Sequence, residues 1–167
     1  MCGTLNLSSN IKMIVTDFDG IFTDNTVFLL SPTEKLKKVS YKDIMGVSVA
    51  VKNGIKVAIV SGEHSKEIDY IAEKFNLVDI HQGIRIKYPI YQQIKEKYSL
   101  TDDEIVYIGD DINDIECLNN AKFAVSVEDA NYKVKQISHI QMTKARAGDG
   151  AFREVVDNII ELKANEK

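Results

Sequence analysis

Residues 14–24 read Ile-Val-Thr-Asp-Phe-Asp-Gly-Ile-Phe-Thr-Asp. The apolar run that leads into them predicts a buried strand over residues 11–17, and two carboxylates, Asp17 and Asp19, stand at its end. In an open α/β sheet, ligands bind at the carboxyl ends of the strands. Clustered carboxylates are costly unless a cation neutralises them, and such hard oxygen ligands suit Mg²⁺. The stretch therefore predicts a magnesium site, although a strand that ends in an Asx-rich turn carries similar residues.

The composition is that of an ordinary globular protein. Of 167 residues, 44% are hydrophobic and 28% are charged, which predicts a single domain over residues 1–167 with one sizeable core. The net charge of −4 argues against nucleic acid and anionic membrane as partners. An anionic substrate would therefore need local lysines, arginines or a metal ion.

Nothing in the sequence indicates export or a membrane span. No apolar run reaches the length of a transmembrane helix, and residues 1–10 lack the apolar core of a signal peptide. Two cysteines, Cys2 and Cys117, provide neither a disulfide framework nor a metal-ligand spacing. We therefore expect a cytoplasmic protein.

Strand and helix signals alternate along the chain, which predicts βαβ units and a parallel sheet. Residues 27–30 and 36–40 flank the turn signal Ser31-Pro32-Thr33-Glu34 and predict a β-hairpin. The fold class is therefore α/β, a doubly wound Rossmann-like parallel sheet with a hairpin insertion. The predicted strands of the sheet are 11–17, 56–60, 78–81, 105–108 and 123–127, and the predicted helices are 44–52, 66–75, 89–98, 114–119 and 151–163.

Polar residues follow other predicted strands as well. Ser61 and Gly62 come directly after one strand, and Asp110 follows another within a Gly-Asp-Asp sequence. Lys87 stands just before the helix that Pro89 opens. Taken singly, Ser61-Gly62 fits a plain turn and Lys87 fits a solvated lysine. Their common placement at the edge of the sheet indicates a site instead.

The pattern Asp-x-Asp-Gly-x-x-Thr-Asp, followed in order by Ser61, Lys87 and Gly-Asp-Asp, resembles the motifs of the haloacid dehalogenase superfamily of phosphatases and phosphotransferases. The resemblance implies that Asp17 is the nucleophile, which forms an aspartyl-phosphate. It implies that Asp19 protonates the leaving alkoxide and then deprotonates the attacking water. Mg²⁺ would remove the repulsion between the nucleophile and the phosphate dianion.

The same resemblance assigns the remaining groups of the site. Asp17, the backbone carbonyl of Asp19, and Asp110 would hold the metal. Around them, further side chains would bind phosphate oxygens or orient metal waters and the lysine. The phosphate-binding residues are Ser61, Gly62 and Lys87, and the orienting residues are Asp111 and Asp114.

A narrower resemblance covers nearly the whole chain. The segment between the first motif and Ser61 is too short for a separate cap domain, and His-Gln-Gly at 81–83 and Ala-Gly-Asp-Gly-Ala-Phe-Arg-Glu at 147–154 are two further signatures. The chain is similar to capless phosphatases of 3-deoxy-octulosonate 8-phosphate and of nine-carbon sugar acid 9-phosphates, and to the C-terminal domain of animal cytidylyl-sialate synthetases. That family implies a homotetramer, a central barrel of hairpins, and a Gly-rich segment, with Arg153 on it, that closes over a neighbouring active site.

Glu63 bears on the substrate. Octulosonate enzymes commonly carry Gly-Arg after the second motif, whereas similar nine-carbon enzymes carry Gly-Glu, as at Gly62-Glu63 here. The resemblance thus favours a small nine-carbon 2-keto-3-deoxy sugar acid 9-phosphate (KDN or N-acylneuraminate type), although Glu63 also fits an acid at the start of a helix. Two alternatives stay open: the octulosonate 8-phosphate phosphatase of lipopolysaccharide synthesis, and a non-catalytic tetramerisation module. Residues 147–154 likewise also fit an ordinary loop before the last helix.

Overall fold

The computed structural model describes residues 5–166, so that Cys2 and the first four residues of the export prediction lie outside it. Six parallel strands form the main sheet in the order β5-β4-β1-β6-β7-β8. This arrangement confirms the predicted α/β parallel sheet. The strands are β1 (Met13–Thr16), β4 (Lys56–Val60), β5 (Asp79–His81), β6 (Ile105–Ile108), β7 (Phe123–Ser126) and β8 (Gln141–Met142).

The first strand in sequence lies in the middle of the sheet. Met13 of β1 pairs with Lys56 of β4 on one side and with Ile105 of β6 on the other. The chain adds β4 and β5 on one side and later adds β6, β7 and β8 on the other. The strand order therefore reverses at β1, and a crevice at such a reversal is where doubly wound sheets bind their ligands.

The central strands are apolar because both faces of the sheet are covered. All residues of β1, β6 and β7 are buried, as expected for parallel strands under helices. The helices are α1 (Tyr41–Lys52), α2 (Lys66–Phe75), α3 (Tyr88–Lys97), α4 (Ile115–Asn120), α5 (Tyr132–Lys135) and α6 (Ala151–Asn165).

The helix predictions hold except at short elements and at one start. Helix α1 begins three residues before the predicted 44, because the Ser40 side chain caps it by accepting a hydrogen bond from the Lys42 backbone N–H (3.1 Å). Helix α5 and strand β8 were not predicted. Elements of four and two residues are too short to show a hydrophobic period.

The hairpin forms a separate two-stranded antiparallel sheet of β2 (Val27–Ser31) and β3 (Glu34–Lys37). Its second strand ends at Lys37, before the predicted residue 40. Between β1 and β4, the described chain holds only this hairpin and α1, which packs against α6. The insertion thus contains no cap domain. The boundary of a single domain at 1–167 stays a prediction.

Within residues 5–166, no helix has both the length and the apolar character needed to cross a lipid bilayer.

Candidate active site

The end of β1 is held against β6. The backbone N–H of Asp17 donates to the carbonyl of Ile108 (2.8 Å), which continues the sheet pairing beyond both strands. Gly20 has a φ of +80°, and a Cβ at this position would overlap the Asp110 carboxylate. Glycine is required because the turn needs both the left-handed conformation and the close approach. The loop after β1 is thereby pressed onto the loop after β6.

Asp110 is a buried carboxylate with one free oxygen. Its Oδ2 accepts a hydrogen bond from Asn25 Nδ2 (2.8 Å), whereas its buried Oδ1 has no hydrogen-bond partner among the described residues. Burial raises the pKa of Asp110 to about 7, helped by the charges of Asp114 and Asp111 and opposed by the Asn25 hydrogen bond. A buried oxygen without a partner needs a cation or a proton.

Asp114 is surrounded by donors. Its Oδ1 accepts from Lys87 Nζ and from the Tyr107 hydroxyl, both at 2.8 Å. Its Oδ2 accepts from the backbone N–H groups of Asp110 (3.1 Å) and Asp111 (3.2 Å). With four donors bound to it, the Asp114 carboxylate holds the neighbouring side chains and backbone in place. This is the arrangement expected of an orienting residue, and that role stays a proposal.

Lys87 connects Asp114 to Asp17. Its Nζ lies 2.8 Å from Asp17 Oδ2 and 2.8 Å from Asp114 Oδ1, and its side chain is fully buried. Burial alone would lower the pKa of Lys87, but the charges of Asp114 and Asp17 outweigh it and raise that pKa, so Lys87 is cationic at neutral pH. Burial, reinforced by the charge of Asp114, raises the pKa of Asp17 well above its usual range, and Lys87 only partly offsets this. An additional cation would restore the ionised form of Asp17.

Asp19 lies at the rim of the same cluster. Its Oδ1 accepts from the Thr23 hydroxyl (3.1 Å), and its Oδ2 accepts from Lys37 Nζ (2.5 Å). Lys37 also lies 3.4 Å from Glu63 Oε2. Asp19 is thus held by one residue of its own loop and by one residue of the hairpin.

An open cavity of about 280 Å³ connects these groups. Ser61, almost fully buried, lines this cavity, and its hydroxyl accepts the Glu63 backbone N–H (3.3 Å). A small anionic group would meet Ser61, Gly62 and the acidic cluster together. The lining residues are Asp17, Asp19, Asn25, Val27, Lys37, Ser61, Gly62, Glu63, Asp110, Asp111 and Asn113.

The structure brings most of the predicted site residues together. Asp111 lines the cavity and also caps the following turn by accepting the Ile112 backbone N–H (2.7 Å). Lys87 contacts the cluster from beneath and does not line the open cavity. Arg153 does not line it either, because its Nε donates to Asp157 (2.7 Å) on α6. A role for Arg153 at a neighbouring copy stays a prediction.

The Gly-rich segment contacts its own chain. The backbone N–H of Gly148 donates to the Ile21 carbonyl (2.9 Å), within the loop after β1. Gly148 has a φ of +67°, and a Cβ there would lie 2.6 Å from the Asp24 backbone nitrogen. This segment therefore supports the first motif of the same chain.

Four residues of the site were missed by sequence reasoning. Asn25 follows the first motif directly and Asn113 lies two residues after the Gly-Asp-Asp sequence, so proximity to a motif was a usable signal. Lys37 and Tyr107 carried no such signal, because a lysine in a hairpin and a tyrosine in a buried strand are ordinary residues there.

The donor set fits a magnesium ion. Oxygen atoms of Asp17, Asp110 and Asp114 lie within 4.8 Å of one another, and all three residues are buried. Asp114 is already engaged by four donors, which leaves Asp17 and the free Oδ1 of Asp110 as the side-chain ligands. Carboxylate oxygens of this kind are what Mg²⁺ prefers, with water completing an octahedron.

Comparison with known proteins agrees with this geometry. The sequence pattern of haloacid dehalogenase-like hydrolases matches residues 75–155. The 3-deoxy-D-manno-octulosonate 8-phosphate phosphatase of Yersinia pestis is 28% identical over 153 residues, which cover 92% of this chain and 81% of the relative. The Salmonella typhi enzyme of the same name is 27% identical over 157 residues, with the same two coverages.

Solved structures match over nearly the whole chain. The Moraxella catarrhalis phosphatase of the same name, in complex with magnesium, phosphate and KDO, superposes with a TM-score of 0.87 at 28% identity, covering 94% of this chain and 90% of that one. The cobalt-bound Haemophilus influenzae phosphatase has a TM-score of 0.86 at 26% identity, with coverages of 93% and 91%. The fold and the site define a metal-dependent hydrolase of phosphoric monoesters. The chain is similar to haloacid dehalogenase-like hydrolases, and its buried carboxylates fit Mg²⁺ as the cofactor.

Proposed function

We propose that the chain hydrolyses the phosphate ester of an acidic 2-keto-3-deoxy sugar, with Asp17 as the nucleophile. The observation that carries the proposal is the buried cluster in which Asp17 and the unpartnered Oδ1 of Asp110 face one cavity beside Lys87. The names of the relatives support an eight-carbon acid, 3-deoxy-D-manno-octulosonate 8-phosphate, as the first candidate.

Residues around the proposed metal site would bind the phosphate group and orient the nucleophile. Asp17, Asp110 and the Asp19 backbone carbonyl would hold Mg²⁺, which would supply positive charge between the nucleophilic carboxylate and the phosphate. The Lys87 ammonium orients the Asp17 carboxylate and stabilises its negative charge, while Asp114 holds Lys87 in position. Ser61 and the Gly62 backbone would hold phosphate oxygens as charge spreads over them.

Asp19 completes the chemistry as acid and base. In the first step, an Asp17 oxygen forms a bond to phosphorus while the ester oxygen leaves with its electron pair and takes the proton of Asp19. In the second step, a water oxygen bonds to phosphorus, its proton goes to Asp19, and the bond to Asp17 breaks. The presence of Asp17, Asp19 and Asp110 weighs against a non-catalytic tetramerisation module.

A nine-carbon sugar acid 9-phosphate is the second candidate, because Glu63 lines the cavity mouth. Its carboxylate pairs with Lys35 and Lys37, which lowers its pKa and keeps it an anionic hydrogen-bond acceptor at neutral pH. Such an acceptor suits the hydroxyl groups of a longer polyol.

Phosphate release from a panel of eight- and nine-carbon sugar acid phosphates tests the proposal. We expect the wild-type chain with Mg²⁺ to prefer one of these esters over glucose 6-phosphate by at least about a hundredfold in kcat/KM. Equal rates with all sugar phosphates would contradict a sugar acid substrate, and no release from any ester would contradict the phosphatase.

We also propose that the chain assembles as a homotetramer through the hairpin. Five apolar side chains of β2 and β3 are exposed, and the two strands have no further strand partner in the described chain. Exposed apolar strands are normally covered or paired, and identical hairpins in a closed symmetric arrangement would cover one another. The exposed residues are Val27, Phe28, Leu29, Leu30 and Leu36.

A further inference from the structure

Lys37 is a buried charge on an exposed hairpin. Its side chain is only 2% exposed, whereas every residue of β2 and the other three residues of β3 are exposed. Lysine is almost never fully buried unless its charge is paired. The groups that pair with Lys37 therefore explain its position.

Two loops supply those groups. The Lys37 Nζ lies 2.5 Å from Asp19 Oδ2, in the loop after β1, and 3.4 Å from Glu63 Oε2, in the loop after β4. The backbone N–H of Lys37 donates to Glu67 Oε1 on α2 (3.1 Å). Lys37 is thus fixed to the body of the protein through both its backbone and its side chain.

The Asp19 carboxylate depends on this lysine for half of its restraint. Its Oδ1 is held by Thr23, which is fully buried within the same loop, and its Oδ2 is held by Lys37. Without the Lys37 ammonium, one hydrogen bond would remain. A carboxylate held at one oxygen can rotate about its side-chain torsions, whereas one held at both oxygens cannot do so without breaking a bond.

We propose that Lys37 is a positioning residue that aims the Asp19 carboxyl at the ester oxygen of the substrate. The inference rests on the acid and base role proposed above for Asp19. Proton transfer requires Asp19 within hydrogen-bonding distance of the departing oxygen in the first step and of the water in the second. Lys37 acts through Asp19 and takes no bond or proton of its own.

Leaving groups of different basicity separate positioning from a general structural role. Phenolate needs a proton as it leaves, p-nitrophenolate needs it less, and 2,4-dinitrophenolate leaves well as the anion. These three aryl phosphates carry neither a polyol nor a carboxylate, so recognition of the sugar by Glu63 does not enter. Their kcat/KM values report the steps up to release of the phenol, which include the first proton transfer.

The experiment compares Lys37→Met with Lys35→Met. Both changes remove a lysine that contacts Glu63 from β3, but only Lys37 contacts Asp19. We expect Lys37→Met to lower kcat/KM for phenyl phosphate by about ten- to a hundredfold and for 2,4-dinitrophenyl phosphate by less than about threefold. Lys35→Met should keep the wild-type dependence on the leaving group, and Lys37→Arg, which retains a donor, should regain part of the loss.

The outcomes are separable. Equal losses with all three esters, or no loss with any, would overturn the positioning role while leaving the phosphatase intact. A wild-type enzyme that hydrolyses no ester would overturn the proposed function and this inference together. If Lys37→Met does not fold, as judged by circular dichroism, the same series with Lys37→Leu decides, because leucine also provides neither a charge nor a hydrogen-bond donor.

Discussion

At the carboxyl edge of the sheet, charged side chains are buried, whereas in the hairpin β2–β3 apolar side chains are exposed. Asp17, Asp110, Asp114 and Lys87 are each at most 5% exposed, while Leu29 is 77% exposed. Both arrangements oppose the usual distribution of residues, and each is costly in an isolated chain. The two regions therefore call for different partners: a cation would stabilise the buried carboxylates, and an apolar surface would stabilise the exposed side chains of the hairpin.

The largest effect is expected from a change at the centre of the buried charged cluster. Asp17→Asn should reduce kcat by at least about a thousandfold, because an amide is a poor nucleophile and a weak metal ligand. The fold should remain. Burial raises the pKa of the Asp17 carboxyl, so a neutral amide of the same shape avoids the free-energy cost of burying the ionised carboxylate. Steady-state phosphate release and circular dichroism measure both. Asp103→Asn, at an exposed residue paired with Lys122, is the control, and near wild-type turnover in Asp17→Asn would exclude this nucleophile.

Removal of the metal tests whether the buried carboxylates need a cation. EDTA should abolish phosphate release and added Mg²⁺ should restore it. Mg²⁺ should also raise the thermal unfolding temperature, since saturation at about a hundred times its Kd stabilises a protein by about 2.7 kcal/mol. Asp110→Asn should lose most of that shift. Full activity in metal-free buffer would contradict the assignment.

A single charge introduced into the exposed apolar surface of the hairpin should disrupt the proposed assembly. Leu29→Glu should convert a tetramer into monomers, because the carboxylate would be buried in the apolar interface. Its circular dichroism should remain that of the folded chain, as Leu29 makes no contribution to the core. Light scattering at micromolar concentration measures the mass. Thr33→Glu, in the exposed turn, should stay tetrameric, and a monomeric wild type would refute the assembly.

Glu63 lies where the two regions meet, and its effect should be smaller. If Glu63 accepts hydrogen bonds from a nine-carbon polyol, Glu63→Arg should lower kcat/KM for that substrate by about ten- to a hundredfold, equivalent to one hydrogen bond. An eight-carbon acid should be affected much less. Equal losses with both substrates would make Glu63 structural, and no loss would make it an acid at a helix start.

A separate effect, on stability and not on turnover, concerns a buried carboxyl group outside the site. The Asp43 carboxylate on α1 accepts the backbone N–H groups of Gly150 (3.0 Å) and Arg153 (3.1 Å) at the start of α6. Burial raises its pKa to about 6, opposed by these hydrogen bonds. Because the folded chain binds this proton more tightly than the unfolded one, the contribution of Asp43 to stability falls as pH rises from about 4 to about 6.

Urea unfolding at pH 4 and at pH 7 checks this sign. The wild-type chain should lose up to about 3 kcal/mol more than Asp43→Asn between these two values. Asp149→Asn removes an exposed carboxylate on the same segment and serves as the control. Parallel pH dependence in wild type and Asp43→Asn would show that the carboxylate at the helix start titrates normally.

The site residues at the sheet edge could be predicted from the sequence, whereas the site residue at the end of the hairpin, Lys37, could not. Asp17, Asp110 and Ser61 follow apolar strands directly, so local sequence places them at one edge of a parallel sheet. Lys37 enters the site only because β3 ends against α2 and two distant loops, which no local pattern records. Likewise, Tyr107 becomes a donor to Asp114 only through the turn that follows β6.

The central place of β1 has a consequence for synthesis on the ribosome. The strand leaves the ribosome early, yet β6 and Asp110 follow only after most of the chain, and Gly148 reaches the Ile21 loop later still. A nascent chain therefore carries Asp17 and Asp19 without the loops that close the cluster. Contacts so distant in sequence form slowly. The carboxylates proposed to hold the metal are therefore complete only after β6 and Asp110 have left the ribosome.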